Sequence, residues 1–204
     1  MKFNTEKEIL LRAVSLASHL ATTRSTLPIL QNIFLATKDN QLLVKSTDLN
    51  QTIEVLVEGT VGEKGALTVP ARLITEYLIN NPDTSLTLES NDLDLMIKSA
   101  NHQAKIKGLA AEEYPAIPPI IPLSTVILPL SSIRLAITRT IFACAEDETR
   151  PILNGLLWRF NHKLLTIVGT DGYRLACQSL ETLSDQQGDF IIPKRALQEL
   201  QKLP

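Results

Sequence analysis

The sequence predicts an α+β fold built from repeated β-α-β-β-β units, with the helices on one side of antiparallel sheets. The first reason is an internal repeat, because three clusters of residues recur 123 positions further along the chain. The second is that apolar residues alternate as in strands in some segments and follow a helical period in others. The recurring clusters are Pro28-Ile29-Leu30 with Pro151-Ile152-Leu153, Thr47-Asp48 with Thr170-Asp171, and Pro70, Arg72 and Glu76 with Pro193, Arg195 and Glu199.

A proline-rich segment separates the two copies. It carries four prolines between residues 115 and 122. Each proline lacks a backbone N–H and holds its predecessor in an extended conformation, so the segment predicts a linker. We therefore expect domain one at residues 1–122 and domain two at residues 123–204. Two unrelated domains that share only generic Pro-Ile-Leu turns are the alternative.

Domain one reads as two consecutive units. Residues 2–4 predict a strand, and Thr5 predicts a helix N-cap because Glu8 follows three residues later. The helix carries an apolar stripe formed by Ile9, Leu10, Ala13, Val14, Ala17 and Leu20. Strands follow at 32–37, 41–46 and 51–58, the first two joined across Lys38-Asp39-Asn40. The second unit has a strand at 66–69, a helix at 70–79 and strands near 85–89, 93–98 and 102–108.

Domain two repeats this order but stops early. Its first unit has a strand at 125–128, a helix at 131–144 and strands at 155–161, 164–169 and 174–180. Its second unit has only a strand at 189–192 and a helix at 193–203. Because three strands have no counterpart, we expect an incomplete domain two with an exposed apolar face and an unpaired edge. A genuinely shorter second domain is the alternative.

Composition places the chain among globular proteins, since 44% of its residues are hydrophobic and 21% are charged. No apolar run reaches the roughly 18 residues that a membrane span needs. Cys144 and Cys177 lack the spacing of a disulfide scaffold or a zinc site, which favours a reducing cytoplasm. We expect no metal and no cofactor.

Enzyme signatures are missing from the sequence: it has no GxGxxG, GxxxxGK[ST], HExxH or GxSxG motif. We therefore predict no catalytic residues. An α+β hydrolase or transferase that uses Asp147, Asp171 and His162 remains one alternative, and a protein-interaction module unrelated to DNA is another.

The charge pattern is more informative than the net charge of −2. No acidic residue lies between Tyr114 and Ala145, so a helix carrying Arg134 and Arg139 presents only positive charge. The last helix begins with Lys194 and Arg195. Helices that share one side of the sheets would form a weakly basic surface, suited to phosphate contact without reading of bases.

Six segments together resemble the bacterial DNA polymerase III β subunits, the replicative sliding clamps, over the whole chain. The segments at 147–155 (DETRPILNG) and 170–176 (TDGYRLA) are quite specific at their spacing, whereas Val69-Pro70-Ala71-Arg72 alone would mean little. The other three are Met1-Lys2-Phe3 leading into a helix, residues 24–30 (RSTLPIL) and Thr47-Asp48-Leu49.

The resemblance implies a DNA-clamp fold, with three similar domains per subunit and two subunits closing a ring around duplex DNA. The chain would then hold domain one and most of domain two of a homodimeric processivity factor that performs no chemistry. Implied partners are double-stranded DNA bound without sequence preference, the polymerase III catalytic subunit, the clamp loader and other proteins that carry a clamp-binding motif.

Two sets of site residues follow from the resemblance and the charge pattern. The predicted DNA-binding residues are Arg24, Arg72, Arg134, Arg139, Arg150, Lys194 and Arg195. Pro151-Ile152 departs from the aromatic residues that family members can have there, which puts a stacking contact with DNA in doubt.

The predicted groove for partner peptides is formed by Leu153, Thr170, Gly172, Tyr173, Arg174 and Leu175. Since the implied third domain would supply the other wall, we expect weak peptide binding. A simple strand connection at Thr170-Asp171-Gly172 is the alternative for that turn.

Overall fold

The computed structural model describes residues 1–21, 27–118, 121–122, 124–147 and 149–203. The chain divides into two compact units, Met1–Pro118 and Pro119–Pro204, and the division falls within the proline-rich segment. Each unit buries its own hydrophobic core.

Within its described residues, unit 1 contains two α-helices and two antiparallel sheets. The helices are Lys7–Ser18 (α1) and Ala71–Asn80 (α2). The strands are Lys2–Glu6 (β1), Asn32–Lys38 (β2), Gln41–Thr47 (β3), Thr52–Val57 (β4), Thr60–Glu63 (β5), Ala66–Pro70 (β6), Ser85–Asn91 (β7), Asp94–Lys98 (β8) and Gln103–Lys107 (β9). The sheet orders are β5-β1-β7-β8-β9 and β4-β3-β2-β6.

The core of unit 1 lies between the helices and the sheets. In α1 the buried residues are Leu10, Ala13, Val14 and Ala17, the spacing of one helix face. In β3 Leu42 and Val44 are fully buried, while Leu43 between them is only half-buried. Helix α1 contacts α2, β3 and β4, so both helices cover the apolar side of the sheets.

The end of unit 1 is fastened by Tyr114. Its hydroxyl accepts a hydrogen bond from the Thr47 backbone N–H at 3.0 Å, and its ring packs on Phe34. Burial raises the pKa of Tyr114 to about 12. The chain therefore leaves unit 1 from a fixed point next to β3.

Unit 2 repeats the first part of unit 1. Its helices are Leu130–Thr140 (α3) and Lys194–Lys202 (α4), and its strands are Gly155–Asn161 (β10), Leu164–Thr170 (β11), Leu175–Glu181 (β12) and Gln187–Pro193 (β13). The antiparallel sheet has the order β12-β11-β10-β13, which matches β4-β3-β2-β6. Strand β10 begins and ends 123 residues after β2, and β11 does so after β3. The predicted repeat and α+β fold are confirmed.

The start of α1 differs from the prediction. Thr5 belongs to β1, and its hydroxyl donates to the Glu58 carbonyl at 2.7 Å instead of capping the helix. The N-cap position is occupied by Glu6, which makes no side-chain capping bond. Pairing with β7 extends β1 past residue 4, because Thr5 pairs with Leu86 and Glu6 pairs with Ser85. Strand β5, which the sequence did not reveal, pairs with residues 2–4 on the other edge of β1.

The strand predicted at residues 125–128 is also wrong. None of the described residues there belongs to a strand, although Val126 and Leu128 pack against the second core. The equivalent strand in unit 1, β1, is held between β5 and β7. The counterpart of β7 would fall at 208–214, beyond the 204 residues of this sequence. Ile127 in this segment is 88% exposed.

An apolar groove lies beside this segment in unit 2. It has a volume of about 780 Å³ and is lined by Ile127, Leu164 and Leu183, among others. Leu183 is fully exposed. The prediction that domain two is incomplete and for that reason exposes an apolar face stays a prediction.

Candidate nucleic-acid and peptide interfaces

In unit 1 the predicted DNA contact Arg72 lies in the first turn of α2. Its side chain is 82% exposed, and its Nε donates to Oε1 of Glu76, one turn later, at 2.7 Å. This bond raises the pKa of Arg72 above its ordinary value. The guanidinium is thus accessible from solvent but already paired with a carboxylate.

In unit 2 helices α3 and α4 contact one another, and Gln201 Nε2 donates to the Thr138 hydroxyl at 2.9 Å between them. Helix α3 contains no carboxylate. Arg139 lies in its last turn and donates to the Gln178 side chain on β12 at 3.1 Å. The Nε of Arg134 is buried and has no hydrogen-bond partner among the described residues.

Lys194 and Arg195 begin α4. The Lys194 backbone N–H donates to the Asn154 carbonyl at 3.1 Å, and its ammonium forms an ion pair with Glu146. The Lys194 side chain is only 13% exposed. Its hydrogen bond lowers the pKa of Glu146. The structure therefore turns Lys194 toward the loop before β10, whereas Arg195 is exposed.

Arg150 lies at the other predicted site. Gly172 has φ +91°, and a Cβ built there would lie 3.6 Å from Nη1 of Arg150. The guanidinium thus covers the turn between β11 and β12. Arg150 thus lies beside residues of the predicted peptide groove, and its predicted DNA contact stays a prediction.

The Thr170–Leu175 turn is held by its own polar groups. Asp171 accepts hydrogen bonds from the backbone N–H groups of Tyr173 at 2.9 Å and Arg174 at 3.0 Å. These backbone bonds, that from Arg174 first, lower the pKa of Asp171. The Thr170 hydroxyl donates to the Arg174 carbonyl at 2.8 Å. The turn, held by these hydrogen bonds, leaves Tyr173 95% exposed and Leu175 67% exposed.

Phe142, which the sequence analysis did not single out, lies beside the residues of the predicted groove. It lies in a short 3-10 turn after α3, is 55% exposed, and its ring centroid is 5.7 Å from the Arg174 guanidinium carbon. The neighbouring Ala145 N–H donates to the Leu153 carbonyl at 2.9 Å, which fixes Leu153 beside this turn. The signal available was a large apolar residue at the end of an otherwise basic helix.

The rival enzymatic residues do not form one site by hydrogen bonding. Asp147 accepts from the Thr149 N–H at 2.8 Å, Asp171 holds its own turn, and His162 pairs with Asp185 at 2.9 Å. Within the described ranges, no group of three or more His, Cys, Asp or Glu side chains could hold a metal ion. Nor does this part of the chain contain a helix long and apolar enough to cross a membrane. Arg24 lies outside the described residues.

Comparisons with known proteins agree with the geometry. The model of the DNA polymerase III beta subunit N-terminal domain matches residues 1–118, and that of the central domain matches residues 127–204. Beta sliding clamps of Pseudomonas putida and Bacillus subtilis are 31% and 29% identical over 100% of this chain, which spans 56% and 57% of their lengths.

Solved structures give the same result. The DNA polymerase III subunit beta from Pseudomonas aeruginosa superposes with a TM-score of 0.89 at 31% identity, covering 100% of this chain and 56% of that one. The DNA polymerase sliding clamp from Bacillus subtilis has a TM-score of 0.92 at 28% identity, covering 99% and 56%. Both domain models match in order along the duplicated fold, and the chain therefore belongs to the DNA polymerase III beta subunit family.

Proposed function

We propose that this chain supplies the first domain and most of the second domain of a DNA sliding clamp, a non-catalytic processivity factor. The assembled clamp would be a homodimer that encircles duplex DNA in the cytoplasm. The observation that carries the proposal is the duplicated unit, in which paired helices with basic residues cover one side of antiparallel sheets. Domain one would comprise residues 1–122 and domain two residues 123–204.

The helices would meet DNA through phosphates alone. Arg72, Arg134, Arg139 and Arg195 are spread over three helices. Contacts of this kind carry no sequence information and weaken steeply with salt, because binding releases counterions. A protein that must move along DNA benefits from such loose contacts. Arg24 belongs to the proposed set by its motif.

The turn at Gly172 would bind short peptides of the polymerase catalytic subunit, the clamp loader and other partners. Leu153, Leu175 and Phe142 offer apolar surface, and burying one peptide leucine or phenylalanine there contributes roughly 1.5–3 kcal/mol. Arg150 and Arg174 favour a peptide that carries acidic groups. Tethering through this groove raises the effective concentration of polymerase at the primer end.

The DNA part of the proposal is tested by fluorescence anisotropy on a 30-base-pair duplex across a salt titration. The double variant Arg139→Ala/Arg195→Ala should weaken binding and flatten the slope of log K against log salt by up to about 1.8, because each phosphate that the protein no longer neutralises accounts for about 0.9. Arg159→Ala is the matched control, because Arg159 lies on the sheet face opposite the buried Trp158. Equal slopes for the wild type and the double variant would contradict the assignment.

A further inference from the structure

Two carboxylates already form ion pairs with cations of the proposed DNA surface, each cation lying in the first turn of a helix. In unit 1, Glu76 accepts from Arg72 at 2.7 Å, with both side chains more than half exposed. In unit 2, Glu146 pairs with Lys194 across a long sequence separation, and the carboxylate side chain is 88% exposed. Each pair joins a residue in the first turn of a helix to a carboxylate that phosphate oxygens could replace.

A carboxylate and a phosphate compete for the same cation, because both are anionic oxygen acceptors of similar bonding geometry. For Arg72 or Lys194 to contact DNA, the existing ion pair must break. Each pair therefore subtracts from the affinity for DNA without altering the fold.

We propose that Glu76 and Glu146 set how loosely the protein holds duplex DNA, by competing with phosphates for Arg72 and Lys194. The inference rests on the proposed function, since it requires that these helix ends face DNA. Glu76 and Glu146 would act on binding through their cationic partners, without contacting DNA themselves. The low affinity for DNA would then have two causes: the small number of positive charges and the competition from Glu76 and Glu146.

Pairs of the same type elsewhere provide controls. Arg159 and Asp189 are joined at 2.7 Å, and Lys105 and Asp94 at 2.7 Å. In β10 the residues on the helix side are Leu156, Trp158 and Phe160, so Arg159 lies on the other face. In β8 the buried residues are Leu95 and Ile97, which places Asp94 on the opposite face as well. Neither control is expected to influence DNA binding.

The test measures the affinity of the full 204-residue chain for a fluorescent 30-base-pair duplex as salt is raised. Glu76→Gln and Glu146→Gln should each tighten binding about two- to five-fold at low salt. Each should also steepen the slope of log K against log salt by up to about 0.9, since one more cation becomes available to phosphate. Asp189→Asn and Asp94→Asn remove the same charge and should leave both quantities as in the wild type.

A double-mutant cycle separates competition from simple charge repulsion. If Glu146 acts through Lys194, the gain from Glu146→Gln should largely disappear in a chain that also carries Lys194→Gln. Glu146→Asp keeps the negative charge and should restore binding close to the wild-type level. Thermal unfolding of each variant, followed by circular dichroism, shows whether the fold is retained.

The outcomes distinguish this inference from the proposed function. A wild-type chain without salt-dependent DNA binding would overturn the function and the inference together. Salt-dependent wild-type binding that both Glu variants leave unchanged would overturn the inference alone. The inference also fails if the charge-matched controls tighten binding equally, or if the Glu146→Gln gain persists undiminished in the Lys194→Gln background.

Discussion

At the level of single residues, the backbone conformation of Gly172 determines the shape of the turn in the proposed peptide groove. Its φ of +91° lies in the left-handed region, which residues with a Cβ avoid. The space around it is adequate, since the nearest atom to a built Cβ is Nη1 of Arg150 at 3.6 Å. The requirement for glycine is therefore conformational and not a matter of crowding.

We accordingly predict that Gly172→Ala destabilises unit 2 by about 1–2 kcal/mol, the cost of a left-handed alanine. The strained turn should relax, moving Tyr173 and Leu175 and weakening peptide binding. Urea unfolding and peptide titration measure the two effects. Gly62→Ala, where φ is ordinary and the nearest contacts are side-chain atoms of Lys2, is the control. A stability equal to that of the wild type would refute the conformational argument.

Asp83 is a second residue that stabilises local structure, because its carboxylate connects two segments by hydrogen bonds. It accepts a hydrogen bond from the Ser99 hydroxyl at 2.6 Å and one from the Asn101 N–H at 3.1 Å, and it pairs with His102 Nδ1 at 3.0 Å. The Ser99 bond first, and then the His102 contact, hold the pKa of Asp83 far below its ordinary value. The carboxylate thereby ties the segment after α2 to the turn between β8 and β9.

The pH dependence of this tie has a definite sign. Because the folded-state pKa is depressed, ionised Asp83 stabilises the protein above its unfolded pKa of about 3.9, and the stabilisation is lost as pH falls through the folded value. Asp83→Asn lacks this dependence. We expect the urea midpoints of wild type and variant to differ most near neutral pH and to converge below about pH 4. A gap that stays constant down to about pH 3 would contradict the prediction; Asp39→Asn, at a turn, is the control.

At the level of elements, the proposed peptide groove is made where α3 ends and β12 begins. The 3-10 turn Ile141–Ala143 supplies Phe142, and the first residue of β12 is Leu175. These two elements contact each other within unit 2. The apolar floor of the proposed groove is thus formed by Phe142, after the end of α3, and Leu175, at the start of β12.

Truncation of this floor should weaken peptide binding. We predict that Leu175→Ala raises the dissociation constant of a polymerase-tail peptide by at least a factor equivalent to about 1 kcal/mol, and that Phe142→Ala does the same. Leu164→Ala, on the same sheet but in the other groove, should leave it unaltered. Isothermal titration calorimetry measures all three; an unchanged constant for Leu175→Ala would remove that residue from the site.

Sequence reasoning succeeded for elements whose signals are local. The turn at Lys38-Asp39-Asn40 was predicted, and Asp39 and Asn40 have φ of 45° and 64°, as a tight hairpin requires. It failed for segments whose secondary structure depends on pairing with a distant strand. Strand β5 exists because β1 accepts it, and residues 125–128 form no strand although their pattern resembles that of β1. Likewise, neither the Lys194 ion pair nor the position of Arg150 could be read from composition, because both depend on tertiary contacts.

At the level of the whole molecule, each unit is organised around a core of its own. The buried residues from Met1 to Ile106 form one cluster, and those from Ile133 to Leu197 form another. The repeat offset predicted this division, because duplicated sequence implies duplicated packing. Domain boundaries could be estimated from the prolines, but the sequence alone did not show which residues close unit 1.

We therefore predict that residues 1–118, produced alone, fold cooperatively into a monomeric α+β unit. Its circular dichroism and a single unfolding transition should show this. A matched segment of residues 1–80 lacks β7, β8 and β9, leaves one side of β1 unpaired, and should not fold. If residues 1–118 prove unfolded while the full chain is folded, the independence of the unit is refuted.

The apolar groove beside Ile127 should also affect the tendency of the protein to self-associate in solution. Salting-out anions such as sulfate favour the burial of apolar surface, whereas every salt weakens attachment to a polyanion. Raising the ammonium sulfate concentration should thus promote self-association of the protein through this groove. It should also weaken any binding of nucleic acid to the helices. If the proposed DNA binding holds, sulfate concentrations that release DNA should also promote self-association, whereas chloride should weaken DNA binding with less effect on apolar association.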